Sequence, residues 1–339
     1  MSWLFAPVPL ARVALLRRAV YLFVIVDVLF LHTSGYYHGW ADPAWYQPLE
    51  MGRLLHLPAA TVLLVELTRW GSVLFAVLAL TGRFPRITGW AVAIAWIWFQ
   101  YIAFAYGKVD HDRGDFAIAL LVLPLVGLAT VNDRRRSEAA GFALRMVQLT
   151  AIATYFLSAW AKFRFGGPEW VNSATMLRAV VRRGSWFGEQ LLHIPWTLHW
   201  FQWVLITVEL LSPVIFFLPE RRRRQMVAGW YIFHAMTYAA ITIAFWPHLV
   251  MLLAFLPLEE YRDRWRAWRR SARKDRPPDA DQPVDEPQSA PEAAEAQDKD
   301  QSEDEDEDED ESIGVVGRGG TAQAGVPPGS RLRFRATQR

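Results

Sequence analysis

Long runs of apolar residues, separated by short clusters of arginine, dominate the first 260 residues of this chain. An α-helix rises 1.5 Å per residue, so about 20 apolar residues cross the hydrocarbon core of a bilayer. A shorter stretch at His248–Leu258 predicts either a tilted span or a helix packed at the membrane interface. The pattern therefore predicts an all-α, polytopic integral membrane helix bundle with seven to eight transmembrane helices. The seven longer runs lie near Val13–Leu31, Thr61–Leu80, Ile87–Tyr106, Phe116–Val131, Phe142–Phe163, Trp200–Leu218 and Met226–Phe245.

The composition changes after the apolar region and divides the chain into three parts. Residues 1–260 form the predicted transmembrane domain, 261–278 a basic juxtamembrane segment, and 279–339 an acidic low-complexity tail. Residues 1–278 carry 30 Lys and Arg against 17 Asp and Glu, a net charge of +13, whereas 279–339 carry 6 against 17, a net charge of −11. The tail has too little apolar surface to offset its chain entropy, so we expect it to be disordered.

Arginine clusters fall in every second short loop of the predicted bundle, which sets its orientation. Positive residues accumulate on the cytoplasmic side of membrane proteins, so we expect a cell-membrane protein with both termini in the cytoplasm. Membrane lipid is then the expected partner, and nucleic-acid binding is not expected because topology accounts for the arginines. The clusters are Arg12, Arg17 and Arg18; Arg83 and Arg86; Arg134–Arg136; Arg221–Arg224; and Arg262–Arg276.

Several common chemistries find no support in the sequence. The chain contains no Cys, which excludes disulfides, thiolate metal sites and thiol relays. No phosphate loop, paired-histidine zinc motif or nucleophile elbow is present, so no metal site is predicted. Redox chemistry in this chain would need a bound organic cofactor.

Charged side chains within the predicted spans are costly in hydrocarbon and need a partner or a purpose. Four of them, Asp27, Glu66, Arg69 and Lys162, fall in the outer half of the predicted bundle. His111 lies in a short loop on the same side, and one polar pocket could contain all five. Glu209 and His234 lie near the middle of later spans and complete the predicted polar set. Each also has a structural explanation. Glu66 and Arg69 are three residues apart and can pair on one helix face, Asp27 can face water, and His234 can be a satisfied core histidine.

Lys162 closes an apolar run at the outer end of its predicted helix, eight residues before Trp170. A lysine in this position is either an anchor whose long side chain reaches the interface or an amine that acts as a base in a dry pocket. The residues alone leave these two interpretations equally open.

Short motifs along residues 10–260 resemble the vitamin K-dependent gamma-glutamyl carboxylase family and its bacterial relatives, the horizontally transferred transmembrane (HTTM) domain proteins. Tyr155–Lys162, with Trp170, is similar to the lysine-bearing helix of that family. Asp110-His111-Asp112, leading into Leu120–Pro124, is similar to its histidine-bearing loop and following helix. Segments Glu209–Pro213 and Phe233–Pro247 resemble its later helices.

The resemblance implies that Lys162 deprotonates a reduced vitamin K-type quinone, which then reacts with O2, and that His111 assists a carboxylation step with CO2. A prenylated quinone would enter from the lipid, and a protein substrate would supply the glutamate. The vertebrate carboxylase has a large lumenal region after its membrane part that recognises the protein substrate, whereas here a low-complexity tail follows on the opposite, cytoplasmic side. Quinol oxidation or epoxidation is therefore favoured over glutamate carboxylation.

The sequence leaves the enzyme question open. The alternative is a non-enzymatic membrane scaffold or partner subunit, whose arginines and acidic tail recruit another molecule. A transporter is a weaker third interpretation, because no internal repeat of the usual kind is visible.

Overall fold

The computed structural model describes residues 3–32, 34–107 and 109–274, and these ranges are mostly helical. The predicted disordered tail, 279–339, lies outside the described residues. Two short antiparallel strands are β1 (Val8–Pro9) and β2 (Arg136–Ser137). The α-helices are α1 (Leu10–Val26), α2 (Ser34–Tyr37), α3 (Glu50–Leu54), α4 (Val62–Leu80), α5 (Pro85–Phe104), α6 (Gly114–Val122), α7 (Glu138–Gly166), α8 (Glu169–Asn172), α9 (Thr175–Arg183), α10 (Trp186–Leu192), α11 (Pro195–Leu210), α12 (Glu220–Ile241), α13 (Trp246–Met251) and α14 (Leu258–Lys274).

Three helices of the described part are long and apolar enough to cross a membrane. They are α4, α5 with one further residue, and α7, of 19, 21 and 29 residues. Each matches a predicted span, and the helical class of the chain is confirmed. The full count of seven to eight spans stays a prediction, because the remaining apolar runs form shorter helices or helices with charged first turns.

Proline and backbone geometry explain why several predicted spans are interrupted. The span expected at Phe116–Val131 ends at Val122, where Pro124 opens a 3₁₀ turn and Gly127 takes a positive φ of 72°.

The span expected at Trp200–Leu218 begins earlier, at Pro195, and ends at Leu210, before a 3₁₀ turn that contains Pro213. Proline lacks the N–H that would continue the helical hydrogen bonding, so these runs bend within their apolar lengths.

One large apolar core joins most helices of the bundle, and two smaller clusters lie beside it among α7–α9, α11 and α12. α1 contributes buried residues spaced at one helical face, including Val13, Leu16, Val20 and Val24. This spacing of three to four residues turns one stripe of the helix toward its neighbours. α4 and α5 form the most extensively packed helix pair, and α6 packs closely on α7. These contacts position α7, which carries Lys162.

One end of the bundle gathers the arginine-rich loops and is called the basic end here. Three ion pairs tie this end of the fold to the first turns of α14: Arg12 of α1 with Glu259 at 2.6 Å, Arg134 of the loop before β2 with Asp263 at 2.5 Å, and Arg224 of α12 with Glu260 at 3.2 Å. Strand β1 also pairs with β2 there. Members of three of the predicted arginine clusters, Arg12, Arg134 and Arg224, therefore contact α14 at one end of the fold.

The two long aromatic loops pack at the other end, called the capped end. The Gln47 N–H donates to the carbonyl of Ala105 at the end of α5. Ser185 Oγ donates to Ala239 and Ala240 carbonyls near the end of α12. The two long loops therefore pack against helix ends on this side of the bundle, and their placement outside the membrane stays a prediction.

Candidate functional site

Lys162 forms a short ion pair with Glu209 across the interface of α7 and α11. Its Nζ lies 2.5 Å from Oε2 and 2.6 Å from Oε1, and it also donates to Ser158 Oγ at 2.9 Å. The Nζ is 5.2 Å from the centroid of the Trp170 ring. The two side chains are 20% and 9% exposed. Lys162 is therefore held inside the protein by a carboxylate rather than extended into the interface as an anchor.

A partly open cavity of about 590 Å³ adjoins this pair. Four predicted site residues lie in its wall: Lys162, Glu209, His111 and His234. The His111 ring centroid is 6.1 Å from that of Phe245, a further wall residue. The cavity wall combines these polar groups with apolar side chains from α11 and α12. A mostly apolar pocket of a few hundred Å³ with a few convergent polar groups is typical of small-molecule sites.

An open groove of about 780 Å³ leads to the same residues from the side of the bundle. It runs along α6 and α7, past Ile118, Ala153 and Leu157, and shares Lys162 and His111 with the cavity. Its lining is mainly apolar.

A second acid–base pair lies beside the cavity and was missed at the sequence level. His248 Nδ1 is 2.6 Å from Asp115 Oδ2, and the Phe116 N–H donates to the other carboxylate oxygen at 2.8 Å. The side chains of His248 and Asp115 are 2% and 0% exposed. His248 Nε2 makes no hydrogen bond to the described residues and belongs to a side chain in the cavity wall. A carboxylate on one ring nitrogen fixes the tautomer and leaves the other nitrogen for a ligand.

Tyr155 connects this pair to His234. The hydroxyl of Tyr155 is 2.7 Å from His234 Nε2, and its ring stands edge-on to His248 with centroids 4.5 Å apart. His234 Nδ1 is buried and also lacks a hydrogen-bond partner within the described ranges. His234 is therefore not a fully satisfied core histidine, because its Nδ1, like His248 Nε2, is buried without a hydrogen-bond partner among the described residues.

Asp27 does not line the cavity but binds Arg113, in the turn that carries His111. Its fully buried carboxylate accepts hydrogen bonds from Arg113 at 2.9 and 3.1 Å, Trp96 Nε1 at 3.0 Å and Gln100 Nε2 at 3.3 Å. The expectation that Asp27 could face water is wrong, because α1 turns this side chain into the core. The contact with Arg113 holds the short turn that also carries His111.

Glu66 and Arg69 lie away from the cavity wall and do not join the predicted pocket. No ion pair joins the two side chains in the described structure, although they are three residues apart on α4. The Arg69 guanidinium lies instead over the rings of Tyr36 and Trp70, at 5.2 and 5.3 Å. The expectation of a Glu66–Arg69 ion pair is wrong, because the aromatic residues at this end of α4 offer the guanidinium two ring faces, which attract a cation.

Asp112 is the one perturbed carboxyl in the turn between α5 and α6. Burial raises its pKa to about 6, against an opposing effect of the Arg113 charge. A carboxyl with such a pKa changes charge near neutral pH, and it lies in the wall of the cavity.

Comparison with known proteins finds no match among protein-family models, curated proteins or solved structures. Among the described residues, no group of three or more His, Asp or Glu side chains is placed to hold a metal ion. The function must therefore be argued from the geometry of the Lys162 cavity.

Proposed function

We propose that this chain is an integral membrane enzyme of the carboxylase-like type, which removes a proton from a reduced quinone in the Lys162 cavity. The observation that carries the proposal is the short Lys162–Glu209 pair in the wall of a cavity that a lateral apolar groove reaches. The proposal includes the seven to eight spans and the cytoplasmic placement of the basic end.

The pair acts as a unit, with Glu209 as the site where the net proton is taken up. In the resting pair, the Lys162 ammonium neutralises the Glu209 carboxylate, and both are largely shielded from water. When a quinol hydroxyl enters, its O–H bond breaks and the proton binds to the pair. Lys162 keeps its positive charge beside the new phenolate oxygen, while Glu209 becomes neutral. The negative charge passes from Glu209 to the substrate, so an ammonium remains next to the anion that forms.

The cavity suits the proposed substrate in size and polarity. About 590 Å³ lies within the usual range for small-molecule sites, roughly 300 to 1,000 Å³. A quinol has oxygens on opposite sides of its ring and so needs polar partners at two places. Lys162 with Glu209 can receive one oxygen, and the cavity wall holds further polar side chains for the other, among them Gln202 and Thr237. An apolar prenyl chain can lie in the groove along α6 and α7.

The resemblance supplies the later chemistry. A reduced naphthoquinone and O2 together give a quinone epoxide and water, so one oxygen atom enters the epoxide and the other leaves as water. His111 lies in the cavity wall and is the residue proposed to assist if CO2 is then transferred to a glutamate.

The test is turnover of a reduced naphthoquinone by the protein in nanodiscs, with oxygen uptake and epoxide followed together. The wild-type protein should oxidise the reduced naphthoquinone. The rate of Lys162→Ala should be at least about a hundredfold lower, which is the usual effect of removing an acid–base group. Arg164→Ala is the matched control, because Arg164 is an exposed basic residue two positions further along α7. Equal rates for wild type and Lys162→Ala would refute the role of the pair. No turnover with any quinol would favour the scaffold alternative.

A further inference from the structure

Helix α14 at the basic end carries two distinct faces. Tyr261, Trp265 and Trp268 follow each other at spacings of four and three residues, so they share one face of the helix. Trp265 and Trp268 are 50% and 65% exposed. The neighbouring face carries three arginines spaced four residues apart, Arg262, Arg266 and Arg270. Exposed aromatic rings beside arginines are typical of helices that lie in a membrane interface.

Four arginines surround a small pocket of about 260 Å³ on this second face. Arg262, Arg266 and Arg270 come from α14, and Arg134 comes from the loop before β2; Asn132 and Asp263 complete the wall. Asp263 is the one carboxylate in the wall. Its oxygens bind Arg134 at 2.5 Å and Arg262 at 2.7 Å, and Arg266 donates to Asn132 at 3.0 Å. The wall therefore carries four guanidinium groups against one carboxylate.

The excess positive charge is not neutralised within the described part of the chain. Asp263 is shared by two guanidinium groups, and Arg266 has an amide oxygen as its partner. The Arg262 side chain is 12% exposed, and its Nη1 is buried without a hydrogen-bond partner in the described structure. The exposed guanidinium groups of Arg266 and Arg270 leave positive charge at the pocket, which an anion would balance.

The location of the pocket points to a lipid as the source of the anion. Arg134 precedes α7 by four residues, and α7 is one of the three helices able to cross a membrane. Glu259 and Glu260 hold the first turn of α14 to Arg12 and Arg224 at the same end of the bundle. The pocket therefore lies at the level where α7 would leave the hydrocarbon and meet the phosphate groups of the lipids.

We propose that Arg134, Arg262, Arg266 and Arg270 form a binding site for the phosphodiester headgroup of an anionic phospholipid. The guanidinium groups contact the phosphate oxygens, and Trp265 and Trp268 lie among the adjacent acyl chains and glycerol groups. This site is independent of the Lys162 cavity and of the proposed enzyme activity.

The test uses the full-length protein purified in detergent, with short-chain phosphatidylglycerol as the anionic lipid and phosphatidylcholine as the neutral one. Binding is measured by calorimetry and by native mass spectrometry. The variant is Arg266→Gln with Arg270→Gln, two exposed positions where the fold should persist, as size-exclusion and tryptophan fluorescence would verify. The control is Arg221→Gln with Arg222→Gln, which removes the same charge from the basic end but outside the pocket.

Phosphatidylglycerol should bind to wild type and to the control with affinities within about threefold, and about thirtyfold more weakly to the pocket variant. This corresponds to about a factor of five per lost guanidinium near a membrane surface. Equal weakening in both double variants would show general charge attraction and overturn the site. Binding of phosphatidylcholine as tight as that of phosphatidylglycerol would also overturn it. Inorganic phosphate that binds as tightly as the lipid would assign the pocket to free phosphate instead.

Discussion

Removing one member of the Lys162–Glu209 pair should destabilise the protein nearly as much as removing both. Lys162→Met leaves the Glu209 carboxylate 9% exposed with only a 3.4 Å contact to Ser158 Oγ. Breaking a buried pair from one side costs about 3 to 5 kcal/mol, and we take about 3 kcal/mol because Lys162 is not fully buried. Glu209→Gln keeps one oxygen that can accept from Lys162, so it should cost about 2 kcal/mol, the value of a hydrogen bond to a charged group.

The double variant Lys162→Met with Glu209→Gln leaves two neutral side chains of nearly native size. Its cost should be about 3 kcal/mol, whereas independent effects would sum to about 5 kcal/mol. The coupling free energy is the difference, about 2 kcal/mol. Because neither charge is left alone in the double variant, the coupling measures the pair directly.

The assay is unfolding in mixed micelles, with the signal taken from the 17 tryptophans of the chain. The control is a second double-mutant cycle in which Arg164 is mutated and Lys162 is left intact. Arg164 is an exposed residue on the same helix. Arg164→Met and Glu209→Gln should be additive within about 0.5 kcal/mol. If the Lys162 cycle were equally additive, the two charges would not interact, and the proposed proton acceptor would be refuted.

Three further predictions concern groups around the cavity. Asp115→Asn removes the carboxylate that orients His248, so kcat for quinol should fall about a hundredfold while KM changes less than about threefold. Steady-state kinetics measure both constants. A fall in kcat accompanied by a comparable change in KM and a lower unfolding midpoint would indicate that Asp115 has a structural role only. Asp27→Asn should cost about 3 kcal/mol, because Arg113, 11% exposed, loses its buried carboxylate; unchanged unfolding in mixed micelles would contradict this. Because burial raises the pKa of Asp112 to about 6, its ionised form opposes folding. Its contribution to stability is therefore full below the unfolded pKa of about 3.9 and is lost as pH rises through about 6, a change of at most about 3 kcal/mol. Asp112→Asn should flatten the fall in unfolding midpoint between about pH 4 and pH 6, and an identical pH profile would refute the assignment.

The length of apolar runs was enough to predict α4, α5 and α7, because a run of about 20 apolar residues has few other stable solutions. It did not predict where other helices stop. Pro124 and Pro213 lie inside apolar runs that hydropathy treats as continuous. Thr242, at a φ of 55°, ends α12 inside another. Proline residues and residues with positive φ determine where these helices end. Hydropathy averaged over a span-length window does not detect such residues.

The cost of charge in a membrane was enough to select Lys162, Glu209, His111 and His234, which the fold brings to one cavity. The same rule also grouped Glu66 and Arg69 with these residues, because hydropathy does not predict which face of a helix points toward the cavity. The Asp115–His248 pair joins residues 133 positions apart. A single sequence holds no information on such a pairing, and each residue on its own resembled the edge of an apolar run.

The most direct test of the central claim is the initial rate of oxygen uptake when the nanodisc protein receives a reduced prenylated naphthoquinone. Wild type and Arg164→Ala should consume oxygen and form epoxide in equal amounts, whereas Lys162→Ala and Glu209→Gln should both fall at least about a hundredfold. Uptake that persists unchanged in both cavity variants would contradict the assignment of the Lys162–Glu209 pair as the proton acceptor.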